Sequence, residues 1–227
     1  MRDMIVLAGT DFHGYKPAFE ALAVGARREK ADLIVVCGDI TNFGTKEQAE
    51  TLLRTLAEAG IPVFFVPGNC DPPSLMEINL KGVTCIHGSG AVLGGLVFLG
   101  VGGSPITPFN TFFEMSENEI AKILDRCLDN IGGVHGRSIV LASHSPPKNT
   151  RTDRTFMGMH VGSSSIRSFI EKHKPLLTIC GHIHEAKGKD LIDSSLIVNP
   201  GPARQGNYAI IYINEDGLNV ELKTIKL

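Results

Sequence analysis

At 227 residues the chain is long enough to bury one sizeable core, and its formal net charge of −2, with 20% charged and 43% apolar residues, excludes both a disordered composition and nucleic-acid binding by bulk charge. The absence of Trp and of a dense Lys/Arg stripe argues further against a nuclease acting on duplexes. Cysteines at 37, 70, 85, 127 and 180 form no C-x-x-C pair, which fits a reducing cytoplasm, and no stretch approaches the ~20 apolar residues of a membrane span.

In chain order, "MIVLAG" (4 to 9) reads as a strand buried on both faces, followed by a segment of helical period over 16 to 29 (Phe19, Leu22, Ala23, Ala26). "LIVVCG" (33 to 38), a helix over 45 to 59 (Ala49, Leu52, Leu53, Leu56) and "PVFFVPG" (62 to 68) repeat the pattern. Strand then follows strand over 82 to 103. A helix over 117 to 130 (Ile120, Ile123, Leu124, Leu128), the strand "SIVLAS" (138 to 143), a helix over 163 to 173 (Ile166, Phe169, Ile170) and the strand "LLTICG" (176 to 181) restore the alternation. The tail 195 to 227 is again strand upon strand. This predicts an α/β fold, with 82 to 103 and 195 to 227 forming a second, more antiparallel sheet packed on the first. With no repeat or linker, a single domain over 1 to 227 is expected, bordered at its site by the irregular segments 104 to 115 and 145 to 161.

All five apolar strands end in ligand-type side chains: Asp11 and His13 in "GTDFHG", Asp39 in "GDITN", Asn69 in "GNCD", His144 in "SHSPP", and His182 and His184 in "GHIHE". One Asp after a strand is ordinarily a cap or a turn, and one His ordinarily a surface group. Five clusters in five strands is a different matter, because the carboxyl ends of parallel strands share one edge. Mixed hard oxygens and imidazole nitrogens suit Mn, Fe, Zn or Ni better than Ca or Mg, and seven donors exceed one tetrahedral zinc. They fit two metals that share a carboxylate.

The succession D-x-H, G-D, G-N-[H or C]-D, a lone His and G-H-x-H resembles the calcineurin-like metallophosphoesterases, especially their small prokaryotic and archaeal phosphodiesterases, from Asp11 to the "NPGP" turn at 199 to 202. The resemblance implies a two-sheet β-sandwich flanked by helices, with Asp11, His13 and His184 on one metal, Asn69, His144 and His182 on the other, and Asp39 bridging. It also implies hydrolysis of a small phosphate ester in one displacement by a metal-bridging hydroxide. Many relatives place His where Cys70 stands, paired with the acidic residue that follows, here Asp71. Cys70 either fills space or takes part in the chemistry. Small relatives with Cys here look like diesterases, so a small or nucleotide-derived phosphodiester is the expected substrate, with a monoester, a single strand or a non-catalytic scaffold role as alternatives.

Around this set, Lys148, Arg151, Arg154 and His160 form either a solvated loop or a cationic rim. Glu185 is a candidate acceptor for a ligand imidazole and Asn42 a candidate phosphate or water contact. His87, His135 and His173 read as structural or exposed. "GLVFLG" and the C-terminal strands offer an edge or face for a homo-oligomer.

Overall fold

The structure, a computed structural model, describes residues 3–132, 134, 136–215 and 217–227; His135 lies outside them. The layers follow from side-chain alternation along each strand. In β1 (Met4–Gly9), Met4, Val6 and Ala8 point inward and Leu7 outward; in β2 (Leu33–Cys37), Leu33, Val35 and Cys37 point inward, and in β3 (Val63–Val66), Phe64 and Val66 do. Facing them across an inter-sheet core are Leu96 and Phe98 of β6 (Leu96–Val101), Val140 and Ala142 of β9 (Ile139–Ser143), Leu177 and Ile179 of β10 (Leu177–Ile179) and Val198 of β12 (Ser195–Asn199).

The outward residues meet helices. α1 (Lys16–Arg28) and α2 (Lys46–Ala57) cover the first sheet through Phe19, Leu22, Leu53 and Leu56, while α3 (Glu117–Asn130) and α4 (Ser164–His173) cover the second through Ile120, Leu124, Ile166 and Phe169. Capping boxes at Thr45/Gln48 and Ser116/Glu119 start α2 and α3. Glu117 then accepts from Ser163 Oγ, Ser164 N and Ser165 N, tying the start of α4 to that of α3. The result is a four-layer sandwich, as expected.

The membership of the sheets differs from expectation. The first sheet runs β14-β13-β1-β2-β3-β4, where β4 is Val83–Cys85, β13 Asn207–Asn214 and β14 Gly217–Thr224; the second runs β11-β12-β10-β9-β6-β5, where β5 is Gly90–Leu93 and β11 Gly188–Ile192. Late strands β13 and β14 therefore join the first sheet, antiparallel to β1, whereas β9 and β10 belong to the second. Both sheets have a parallel centre; the second is antiparallel at both edges, whereas the first is antiparallel on the β13–β14 side and ends on the parallel strand β4 at the other. A strand buried on both faces presents the same apolar pattern to any partner, so its pattern reveals the strand and not its neighbours. "GLVFLG" is likewise no edge, because β6 lies buried between β5 and β9. Between the sheets' carboxyl ends, the short pair β7 (Ser104–Pro105) and β8 (Glu114–Met115) organises the segment 104 to 115. No helix among the described residues is long and apolar enough to cross a membrane.

Candidate metal centre

Backbone hydrogen bonds stitch neighbouring strand ends together within each sheet. Asp11 N donates to Gly38 O (3.1 Å), His13 N to Asp39 O (2.7 Å), and Gly181 N to His144 O (2.9 Å). Gly38, at φ 87°, admits no Cβ, which would stand 2.7 Å from Gly68 Cα. A Cβ on Gly181 would lie 2.7 Å from Asp11 Oδ2. Four of the predicted ligands, Asp11 (φ 54°), His13 (47°), Asp39 (50°) and His182 (67°), hold left-handed backbone, a concentration of strain of order 1–3 kcal/mol each that is typical of functional sites.

The side chains form two groups around one carboxylate. His184 Nε2 lies 3.4 Å from Asp11 Oδ1 and 3.2 Å from His13 Nε2. His144 Nε2 lies 2.9 Å from Asn69 Oδ1, with the His182 ring 5.1 Å from its own, centroid to centroid. Asp39 stands between the groups: Oδ2 is 3.5 Å from His13 Nε2 and Oδ1 is 3.5 Å from His144 Nε2. Cys70 belongs to the same cluster, its Sγ within 4.8 Å of ligand atoms of His13 and Asp39, while its N–H donates to Asp39 Oδ1 at 2.9 Å. All seven predicted ligands and Cys70 thus converge.

Protonation and tautomers suit cation binding. Burial holds the His13 and His182 imidazoles neutral, down at about 4 and about 3. Burial would raise Asp11, but hydrogen bonding to His184 and nearby imidazoles bring it down to about 2. Burial pushes Asp39 up to about 6, assisted by the carboxylates of Asp11 and Asp71 and opposed by His144. Burial, with Asp39 beside it, raises the Cys70 thiol well above its ordinary range. His144 Nδ1 faces the carbonyl of Cys37 at 2.8 Å, so in the neutral ring it carries the proton and Nε2 aims a lone pair at the Asn69 amide oxygen. Two lone pairs converging at 2.9 Å are an arrangement that a shared cation would satisfy. His13 turns Nε2 toward the cluster, and its Nδ1 is buried without a hydrogen-bond partner among the described residues.

A family model described as metallophosphoesterase, calcineurin superfamily, matches residues 45–225. The chain belongs to that family. This metallophosphoesterase is therefore a metal-dependent hydrolase of phosphate esters. Asp11, His13 and Asp39 precede the matched span, so the geometry above is what joins them to the later residues. The metallophosphoesterase is 37% identical to the protein MJ1162 of Methanocaldococcus jannaschii over 203 residues, 88% of each chain. Its fold is shared by TT1561 of Thermus thermophilus (20% identical, TM-score 0.74, 98% of this chain and 99% of that one). It is shared too by a dimetal phosphatase of Danio rerio (13% identical, TM-score 0.67, 98% and 99%).

The surroundings of the metallophosphoesterase site refine several expectations. Asp71 is buried and accepts from Gly68 N, Ile40 N, Thr41 N and Thr41 Oγ1, so it binds the loops after β2 and β3 to each other. Glu185 accepts from Phe156 N (3.1 Å), anchoring the 145 to 161 loop beside His184. In that loop Asp153 takes His160 Nδ1 (2.6 Å) and the amides of Asn149, Thr150 and Gly162, leaving Arg151 and Arg154 exposed. Asn42 is exposed on an open 360 Å³ cavity that it shares with Gly14 and Thr41. His87 and His173 stand apart from the cluster: His87 Nδ1 accepts from Gly102 N, and the His173 ring packs on Phe169. Sequence reasoning missed Arg204, whose Nη2 reaches His184 Nδ1 at 3.4 Å. The only signal was its place two residues beyond the "NPGP" turn, which returns the chain to Asp11 through Arg204 N.

Proposed function

We propose that this metallophosphoesterase is a phosphodiesterase with two divalent transition metals, manganese foremost and iron, zinc or nickel as substitutes, acting on a small diester. The observation that carries the dinuclear reading is Asp39, whose two carboxylate oxygens face imidazoles of two different groups. In this reading Asp11, His13 and His184 hold one cation, Asn69, His144 and His182 the other, and Asp39 both. When bound, the cations supply Lewis acidity toward phosphate and make water nucleophilic near neutral pH.

The protein's share is orientation. The carbonyl of Cys37 fixes the tautomer of His144, and Asp71 fixes the loops that carry Asp39 and Asn69. Asn69 offers a neutral oxygen, which adds no negative charge beside a phosphate. Arg204, at the rim beside His184, steadies the substrate's anionic oxygens. Cys70 explains the preference for diesters. A thiol brings no positive charge where an imidazole could, so the extra negative charge of a monoester has no partner there, whereas a singly charged diester needs none. Five unpaired cysteines agree with a cytoplasmic setting.

The test compares Mn-loaded protein on an aryl phosphodiester and on the matching monoester, with a chelated control. Chelator-sensitive turnover favouring the diester is expected, and Cys70→His should shift the ratio toward the monoester. A monoester preference in the unmodified protein would overturn the diesterase reading.

A further inference from the structure

Two phenylalanines at the edge of the centre have no part in the core. Phe43, four residues beyond Asp39, and Phe112, in the segment 104 to 115, are 48% and 50% exposed, yet their rings meet edge to face with centroids 5.1 Å apart at 86°. Both are tied to the segment that carries Asn69. Phe43 N donates to Cys70 O at 3.1 Å, and the neighbour of Phe112, Phe113, donates through its N–H to Asn69 O at 3.0 Å. The backbone that carries both rings is therefore anchored to the centre.

Phe43 also holds φ 55°. A turn needing only left-handed backbone is served best by Gly or Asn, and a bulky aromatic there is a genuine outlier. The strain keeps a large ring at the site's edge where no packing requires it. An edge-to-face pair leaves ring faces open, and an open aromatic face beside a phosphate site is suited to a planar ring. An aliphatic group would gain as much from any apolar side chain.

We propose that Phe43 and Phe112 form a platform on which a planar heteroaromatic ring of the substrate, a nucleobase, stacks while its phosphodiester occupies the centre. This rests on the diesterase reading and names its substrate class as nucleotide-derived diesters.

Because the chain has no Trp, Phe43→Trp installs a single reporter. Mn-loaded Phe43→Trp is titrated with thymidine 5′-monophosphate and with ribose 5-phosphate, which lacks a base. Saturable fluorescence change is expected at a nucleotide concentration about ten-fold or more below that needed for ribose 5-phosphate, an advantage lost when Phe112→Ala is added. In parallel, kcat/KM is measured for thymidine 5′-(4-nitrophenyl) phosphate and methyl 4-nitrophenyl phosphate. Their ratio, about ten or more in the unmodified protein, should fall toward one through KM in Phe43→Ala and also in Phe43→Leu, which keeps an apolar bulk without a π face. Equal binding of ribose 5-phosphate, or a ratio that Phe43→Leu preserves, overturns the platform. So does a dimer that dissociates on Phe112→Ala, which would make the pair a subunit contact. Base-selective fluorescence without hydrolysis of either ester supports the platform and refutes the diesterase reading; hydrolysis of both esters without base selectivity does the reverse.

Discussion

Asp71 illustrates how much of the site depends on a residue that need not touch substrate. Its buried carboxylate takes four donors from the loops that carry Asp39 and Asn69. Asp71→Asn replaces acceptor lone pairs with an N–H₂ aimed at N–H donors, and should lower unfolding stability by about 1–3 kcal/mol in a denaturant titration. Turnover should fall with it, because the metal-holding loops lose their common anchor. His87 gives a pH prediction. Burial, assisted by the Arg126 cation, depresses its imidazole from 6.5 to about 4. Between those values the unfolded chain takes up a proton that the folded chain refuses, so this contribution is complete above pH 6.5 and is lost as pH falls to about 4. His87→Gln, which keeps an acceptor for Gly102 N, should flatten the decline of the urea midpoint over that range; an unchanged decline would assign it to other groups. The convergence of candidate ligands such as Asp11 and His184 was legible because each follows an apolar strand in a recurring pattern. The partners of Asp71 and the approach of Arg204 to His184 were not, since both arise only where separate loops meet.

At the scale of elements, alternation and period revealed the five buried strands and four helices to within a few residues, because burial imposes those patterns wherever an element packs. Pairing was out of reach. β9 and β10 read no differently from β1 to β3, yet they sit in the opposite sheet, and the eight residues of β13 extend the first sheet rather than founding a second. The end of α4 offers a test of local backbone energetics: it closes on Lys174 in left-handed conformation (φ 47°), whose N–H reaches Ile170 O at 2.8 Å. Lys174→Gly should raise stability by about 1 kcal/mol, read as a higher denaturation midpoint at unchanged slope, because Gly takes that conformation freely and keeps the same hydrogen bond. A lower midpoint would mean that the side chain outweighs the strain.

For the whole molecule, the arrangement of two parallel-centred sheets face to face has one chemical consequence. The carboxyl ends of β1, β2 and β3 supply Asp11, His13, Asp39 and Asn69, those of β9 and β10 supply His144, His182 and His184, and the site is the seam between them. Cations held across that seam bind the native state and not the unfolded chain. Mn²⁺ should therefore raise the melting temperature in a concentration-dependent way that a chelator reverses. The central claim is that the seam holds two cations joined by Asp39. Its most direct test is the metal content at saturation of the unmodified protein and of His182→Ala, counted by elemental analysis with the fold checked by circular dichroism. Two Mn²⁺ per unmodified chain and about one per His182→Ala chain is the predicted result; a single Mn²⁺ in the unmodified chain, undiminished by His182→Ala, would contradict it.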